Sequence, residues 1–285
     1  MTTLIALIPA LAWGSIGLIS GKMGGSPSQQ TLGMTIGAVI FGVLSLVIFQ
    51  PTLTTKVWVI GFLSGIFWFF GQLGQFQSMK AIGISKTVPM STGLQLAGNA
   101  LAGVVIFHEW KTGAMITSGT IAVIILIIGA TLTALRDTKT NAITKKSENI
   151  GAGAFALAFS TVGYVLYTVI VTWGSVDSKA IVFPQSIGML LGALVYSLNK
   201  DPWNKGTYKN ILTGVVWGVG NFFMFLSIPA VGLAISYSIS QMGIVISTFG
   251  SIFLLGEKKT SREMVYVTIG SILVIVGGVI LSSMR

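Results

Sequence analysis

Long apolar runs follow one another along the whole chain, separated by short clusters of Gly, Pro, Lys and polar residues. A helix needs roughly 20 mostly apolar residues to cross a bilayer. The pattern therefore predicts about ten spans, at residues 3–20, 31–49, 57–76, 86–107, 113–135, 150–172, 180–198, 210–228, 233–255 and 264–283. Only Lys80, Gly83 and Lys86 divide the third span from the fourth. Pro229 and Gly232, with no charge, divide the eighth from the ninth. The first apolar stretch, Leu4 to Ile19, lacks a basic leader and runs on through Gly14, Ser15 and Gly17, so it is read as a span and not as a cleaved peptide. Arg136–Asn149 is the most polar connection and reads as a solvated linker.

That linker separates two segments that match each other in register. Gly14 and Gly163, Gly65 and Gly214, Trp68 and Trp217, Gln72 and Asn221, and Gly83 and Gly232 all stand 149 residues apart. Farther on, Glu109-Trp110-Lys111-Thr112 meets Glu257-Lys258-Lys259-Thr260 after a one-residue slip. Five spans per segment, an odd number, insert the second segment upside down relative to the first. The expected fold is an all-α membrane protein of about ten transmembrane helices in two inverted five-helix repeats, residues 1–136 and 150–285, joined by the polar linker 137–149. Secondary transporters use this architecture, because inverted halves can exchange conformations around a central site. Small-residue pairs four apart, Gly33/Gly37, Gly61/Gly65, Gly188/Gly192 and Gly214/Gly218, are read as close helix packing.

Composition agrees with a bilayer setting: 53% of the 285 residues are hydrophobic and 8% charged, against about 25% charged in a typical soluble domain. The net charge of +10 is dispersed over many loops and forms no stripe, which argues against nucleic acid as a partner and for a topology signal. In a ten-span arrangement Lys56, Lys111, Lys179 and Arg285 share the face of the termini, and all other basic residues fall on the opposite face. The linker is then cytoplasmic and both termini are outside. With no cysteine and a single histidine, His108, neither a disulfide framework nor a metal site is expected, and no cofactor is expected either.

The polar residues inside the spans are amides, hydroxyls and aromatics. Gln72 and Gln75 share one helical face at i, i+3, and Gln95 and Asn99 share another at i, i+4. A buried amide in lipid must find partners, either in other helices or in a bound solute. With Trp13, Trp68 and Trp217 beside them, these amides make a candidate solute site. Tyr164, Gln185, Asn221, Tyr237 and Gln241 complete it. Amides offer donors and acceptors together, and aromatic faces pack on pyranose C–H surfaces, so the set suits a neutral polyol. An organic cation would need a carboxylate at mid-span, and an organic anion a Lys or Arg there; only Lys80 and Lys86 come near. Lys86 is expected to snorkel to the headgroups, and Trp58, Trp110, Trp173 and Trp203 to anchor at the interfaces. Met79, Met90 and Met242 are read as lipid-facing or packing residues. His108 and Glu109 are the candidates for proton coupling, because histidine titrates near neutral pH. Glu257, the counterpart of Glu109, is followed by two lysines and is assigned a gate or helix-end contact.

Several segments taken together resemble one family: Pro9-Ala10-Leu11-Ala12-Trp13-Gly14-Ser15, Ser91-Thr92-Gly93-Leu94-Gln95-Leu96, Phe107-His108-Glu109-Trp110, Ser160-Thr161-Val162-Gly163-Tyr164, Pro184-Gln185, Gly220-Asn221 and Ser240-Gln241-Met242-Gly243. The chain is similar over nearly its full length to the glucose uptake proteins, or glucose/ribose porters, of the drug/metabolite transporter superfamily. Ser227-Ile228-Pro229 departs from the Gln that follows Ser in some relatives. The resemblance implies ten helices in two inverted halves and proton-driven uptake of a monosaccharide, glucose foremost, across a Gram-positive plasma membrane. The alternative is a drug or metabolite exporter of the same superfamily. A membrane enzyme or a lipid flippase would need a carboxylate/His cluster or a basic headgroup pocket, and the chain suggests neither.

Overall fold

The structure, a computed structural model, describes residues 2–135 and 149–284. The expected linker over Arg136–Asn149 lies outside the described residues except for Asn149. Among the described residues all regular structure is helical: α1 (Thr2–Met23), α2 (Pro27–Phe49), α3 (Thr55–Ile82), α4 (Ile84–Val105), α5 (Gly113–Ala134), α6 (Ile150–Gly174), α7 (Ser178–Ser197), α8 (Lys205–Lys209), α9 (Ile211–Val231), α10 (Leu233–Gln241), α11 (Ile244–Leu254) and α12 (Ser261–Ser283).

Local chemistry starts most of these helices. The Ser26 hydroxyl accepts the Gln29 backbone N–H while the Gln29 side chain accepts the Ser26 N–H, and Pro27 opens the first turn. Thr260 and Glu263 make the same reciprocal box at α12. Each box satisfies donors that a helix start otherwise leaves bare. Thr54, Thr112, Asn149 and Asp177 cap α3, α5, α6 and α7 singly. α4, α9, α10 and α11 start without such a local cap, two of them at glycine corners. Gly83 (φ 86°, ψ 160°) separates α3 from α4, and Gly232 (φ 83°, ψ 163°) separates α9 from α10. Both backbones adopt a conformation that only glycine takes without strain, so the two weakly marked breaks become one-residue corners.

Among the described residues, seven helical stretches are long and apolar enough to cross a membrane: 27–49, 55–82, 113–133, 150–174, 178–197, 205–231 and 261–281. The remaining three expected spans fall on α1, on α4 and on α10 with α11. The expected span at 233–255 is interrupted at Met242–Gly243. There the hydrogen bonds tighten to three-residue spacing, from Met242 N to Ile239 O and from Val245 N to Met242 O. The cause is tertiary: the Gly243 backbone is pressed against Ala10 and Gly14 of α1, leaving no room for a Cβ at either glycine.

Close glycine crossings also set the frame. A Cβ on Gly65 of α3 would overlap the Gln185 carbonyl oxygen of α7, and one on Gly214 of α9 would overlap the Met34 carbonyl oxygen of α2. α3 packs along α6 and α7, α9 along α1 and α2, and α5 along α12. Trp68, Trp217, Tyr167 and Tyr237 are the largest fully buried side chains, whereas Val47, Leu101, Phe155 and Leu254 lie more than half exposed on the outside. Polar groups such as Gln72, Gln95 and Asn221 buried inside, with large apolar side chains outside, is the arrangement of a bundle that meets lipid, not water.

Candidate functional site

α1, α3, α4, α6 and α9–α11 surround a cleft lined by aromatic rings and side-chain amides. Its aromatic wall starts with Trp68 and Trp217, which come from positions 149 apart in the chain and meet at 5.0 Å between ring centroids. Trp13 packs 6.2 Å from Tyr237, and Tyr164 stands edge-on to Trp68 at 6.5 Å.

The polar wall is a connected network. The Tyr164 hydroxyl donates to Gln72 Oε1 at 2.8 Å and reaches Gln75 Oε1 at 3.2 Å. Gln75 Nε2 and Gln95 Nε2 both donate to the Ser91 hydroxyl, at 2.9 and 2.7 Å. The Tyr237 hydroxyl donates to Gln95 Oε1. Thr92 Oγ1 donates to Gln241 Oε1 at 3.2 Å, and Gln241 Nε2 leans on Ser240 Oγ at 3.5 Å. A primary amide carries two N–H donors and two acceptor lone pairs. Each of Gln72, Gln75, Gln95 and Gln241 uses one N–H internally, by these bonds and that from Gln72 Nε2 to Gln75 Oε1, and so retains a second. Gln72, Gln95 and Gln241 also keep a free lone pair on oxygen. The cleft thus offers donors and acceptors side by side above aromatic faces, without a charged group among its lining residues. That surface is complementary to a neutral molecule rich in hydroxyls.

Of the residues singled out from sequence, Trp13, Trp68, Gln72, Gln75, Gln95, Tyr164, Tyr237 and Gln241 line the cleft. Asn99, Gln185 and Asn221 do not. Asn99 is spent between the Gln95 carbonyl and the Thr168 hydroxyl, and Gln185 joins Asn221 to Ser64 at 2.7 and 2.6 Å. Met79, read from sequence as packing or lipid-facing, lines the cleft near the α3–α4 corner. Lys86, expected at the headgroups, is only 7% exposed. His108 is exposed in the α4–α5 connection, whereas Glu109 is half-buried and accepts the Leu233 N–H at 3.1 Å. Among the described residues no group of three or more potential metal ligands converges. Ser91, which organises two of the amides, was missed from sequence. Its place one turn before Gln95 on the same face was the available signal.

The family model described as "Sugar transport protein" matches residues 4–284. A putative sugar uptake protein of Lactiplantibacillus plantarum is 61% identical over the whole of both chains. The glucose uptake protein GlcU of Bacillus subtilis is 46% identical over 99% of this chain and 98% of its own. A solved crystal structure superposes with a TM-score of 0.69 over 100% of this chain and 99% of that one, at 16% identity, which is a likeness of fold alone. The seven spans and the full-length match make this a multi-pass protein of the cell membrane. The chain belongs to the sugar transport protein family.

Proposed function

We propose that this chain takes up a monosaccharide, glucose first, by alternating access and with proton coupling, using the cleft between two inverted five-helix halves, 1–136 and 150–285. The observation that carries the reading is the uncharged cleft itself, with the Trp68–Trp217 pair against amides that each keep a spare N–H. The names of the relatives, sugar uptake and glucose uptake proteins, support the same substrate. In favour of the two halves, helix pairs recur in matching register: α1 on α9 corresponds to α6 on α3, and α2 on α9 to α7 on α3. Thr92 and Gln241, 149 residues apart, touch each other, as residues beside a two-fold axis would. Lys22, Lys80, Lys200, Lys205, Lys209, Lys258 and Arg262 lie toward the bundle end that carries Gly83, and Lys56, Lys111 and Lys179 toward the other. We assign the Gly83 end to the cytoplasm on that bias.

His108 is the proposed proton-linked group, since its imidazole is exposed and histidine changes charge in the working range. The test is radiolabelled glucose uptake into proteoliposomes with and without an imposed pH gradient. Wild-type protein should accumulate glucose with the gradient and only equilibrate without it. His108→Gln should lose accumulation and keep downhill exchange. Absence of any monosaccharide flux in either condition would overturn the sugar reading, and unchanged accumulation in His108→Gln would exclude His108.

A further inference from the structure

The two glycine corners lack local caps, and in each the missing partner comes from a distant carboxylate. Glu257, just beyond α11, accepts the Ile84 N–H at 2.8 Å, at the start of α4. Glu109, just beyond α4, accepts the Leu233 N–H at 3.1 Å, at the start of α10. Each acid is aimed the same way: Glu109 N donates to Gly103 O at 3.0 Å and Glu257 N to Ser251 O at 3.1 Å, six residues back in both cases. A hydroxyl pair ties the two arms of each corner, Ser78 to Thr87 at 3.1 Å and Ser227 to Ser236. The first turn of a helix has unpaired N–H groups and a partial positive charge, so a carboxylate there is held firmly.

We infer that Glu109 and Glu257 are hinge clamps, by which each half grips the corner of the other and about which the halves rock; the inference rests on the two-half, alternating-access reading above. A gate contact in such a carrier closes at one end of the bundle when its counterpart opens at the other. The cleft is one-sided. Gly17 and Met79 line it on the Gly83 side, while their register partners Leu166 and Ile228 do not. The clamps, in contrast, are closed at both ends in this one-sided state. Contacts indifferent to the direction in which the cleft faces have the property of pivots, not gates. The charge at Glu109 is then engaged in holding Leu233, which leaves His108 as the coupling candidate.

Glutamine keeps a carbonyl oxygen for the helix N–H and alanine removes it. Glu109→Gln and Glu257→Gln should therefore keep most of the glucose flux, while Glu109→Ala and Glu257→Ala should each lower maximal flux about ten-fold or more, the scale of a lost charge-assisted hydrogen bond. Glucose affinity, followed by tryptophan fluorescence in detergent, should stay within about two-fold, because neither acid lines the cleft and distant sites are nearly independent. The chain has no cysteine, so Met79→Cys and Ile228→Cys report maleimide access from the two ends on a clean background. In a hinge, both alanine variants alter the two labelling rates in the same sense. Opposite shifts, with Glu257→Ala opening one end and Glu109→Ala the other, would make the acids gates and overturn the inference. Equal loss in the glutamine and alanine variants would overturn it too, by making charge, not the cap, the requirement. If wild-type protein binds no monosaccharide, the sugar reading fails, and the labelling comparison still decides between hinge and gate.

Discussion

The corner at Gly83 and the corner at Gly232 are built alike, but the helices leaving them do different work. At both corners a left-handed glycine, a hydroxyl pair and a carboxylate from the other side recur in register. Beyond Gly83, α4 runs unbroken to Val105, carries Thr92 and Gln95 into the cleft, and sets Ser91 behind them as the acceptor for Gln75 and Gln95. Beyond Gly232 the helix stops at Gln241 and restarts at Ile244, because Gly243 is pressed onto α1. The partner of Gln95 in register is Ile244, and that of Gln75 is Met224. On the proposed reading, mechanics are shared between the two regions and recognition is not. A sugar has no two-fold symmetry, so a site that distinguishes its hydroxyls cannot be symmetric, whereas a frame that must rock both ways gains from being so.

The largest effect that would break this comparison lies in the shared frame. Gly65→Val and Gly214→Val each push a side chain into a facing backbone carbonyl, and backbone cannot yield as a side chain end can. Both should cost about 3 kcal/mol or more and remove most folded protein from the membrane, as read by size-exclusion profile in detergent. A folded, active variant at either site would show that the crossings at α3–α7 and α2–α9 do not set the frame.

A smaller effect separates the two recognition faces. Ser91 and Ser240 are the same residue type, 149 positions apart, both buried. Ser91 accepts from two cleft amides, whereas Ser240 donates to its own helix at Tyr237 O, 2.6 Å, and receives only the long contact from Gln241. Loss of a hydrogen bond of about 1 kcal/mol should raise the KM of Ser91→Ala for glucose about five-fold or more at unchanged maximal flux. Ser240→Ala should change KM by less than about two-fold on the same scale. Equal effects would mean that both faces contact the sugar alike.

These contrasts explain what could and could not be read in the chain. Apolar run length marks helices because a bilayer demands it, so most span boundaries were legible, and glycine marked both corners because no other residue takes that backbone easily. The register that pairs Trp68 with Trp217 was visible as well, since bulky aromatics seldom coincide by chance. Helical periodicity alone cannot say which neighbour a buried amide will face. Gln185 and Asn221 therefore looked like Gln72 and Gln95, yet they bond to each other and to Ser64, away from the cleft. Nor does pattern reveal the interruption at Met242–Gly243, whose cause sits in α1, or the reach of Glu109 to a backbone 124 residues away.

The claim that the asymmetric cleft is the sugar site is tested most directly by titrating purified protein with glucose and following tryptophan fluorescence, for wild type, Gln95→Leu and Gln241→Leu. Trp13, Trp68 and Trp217 line the cleft, so occupancy should change their emission in a saturable way in the wild type. Each leucine variant leaves hydroxyls of the bound sugar unpaired, which should weaken binding about 100-fold. A flat wild-type titration across monosaccharides, or the same midpoint in all three proteins, would contradict it.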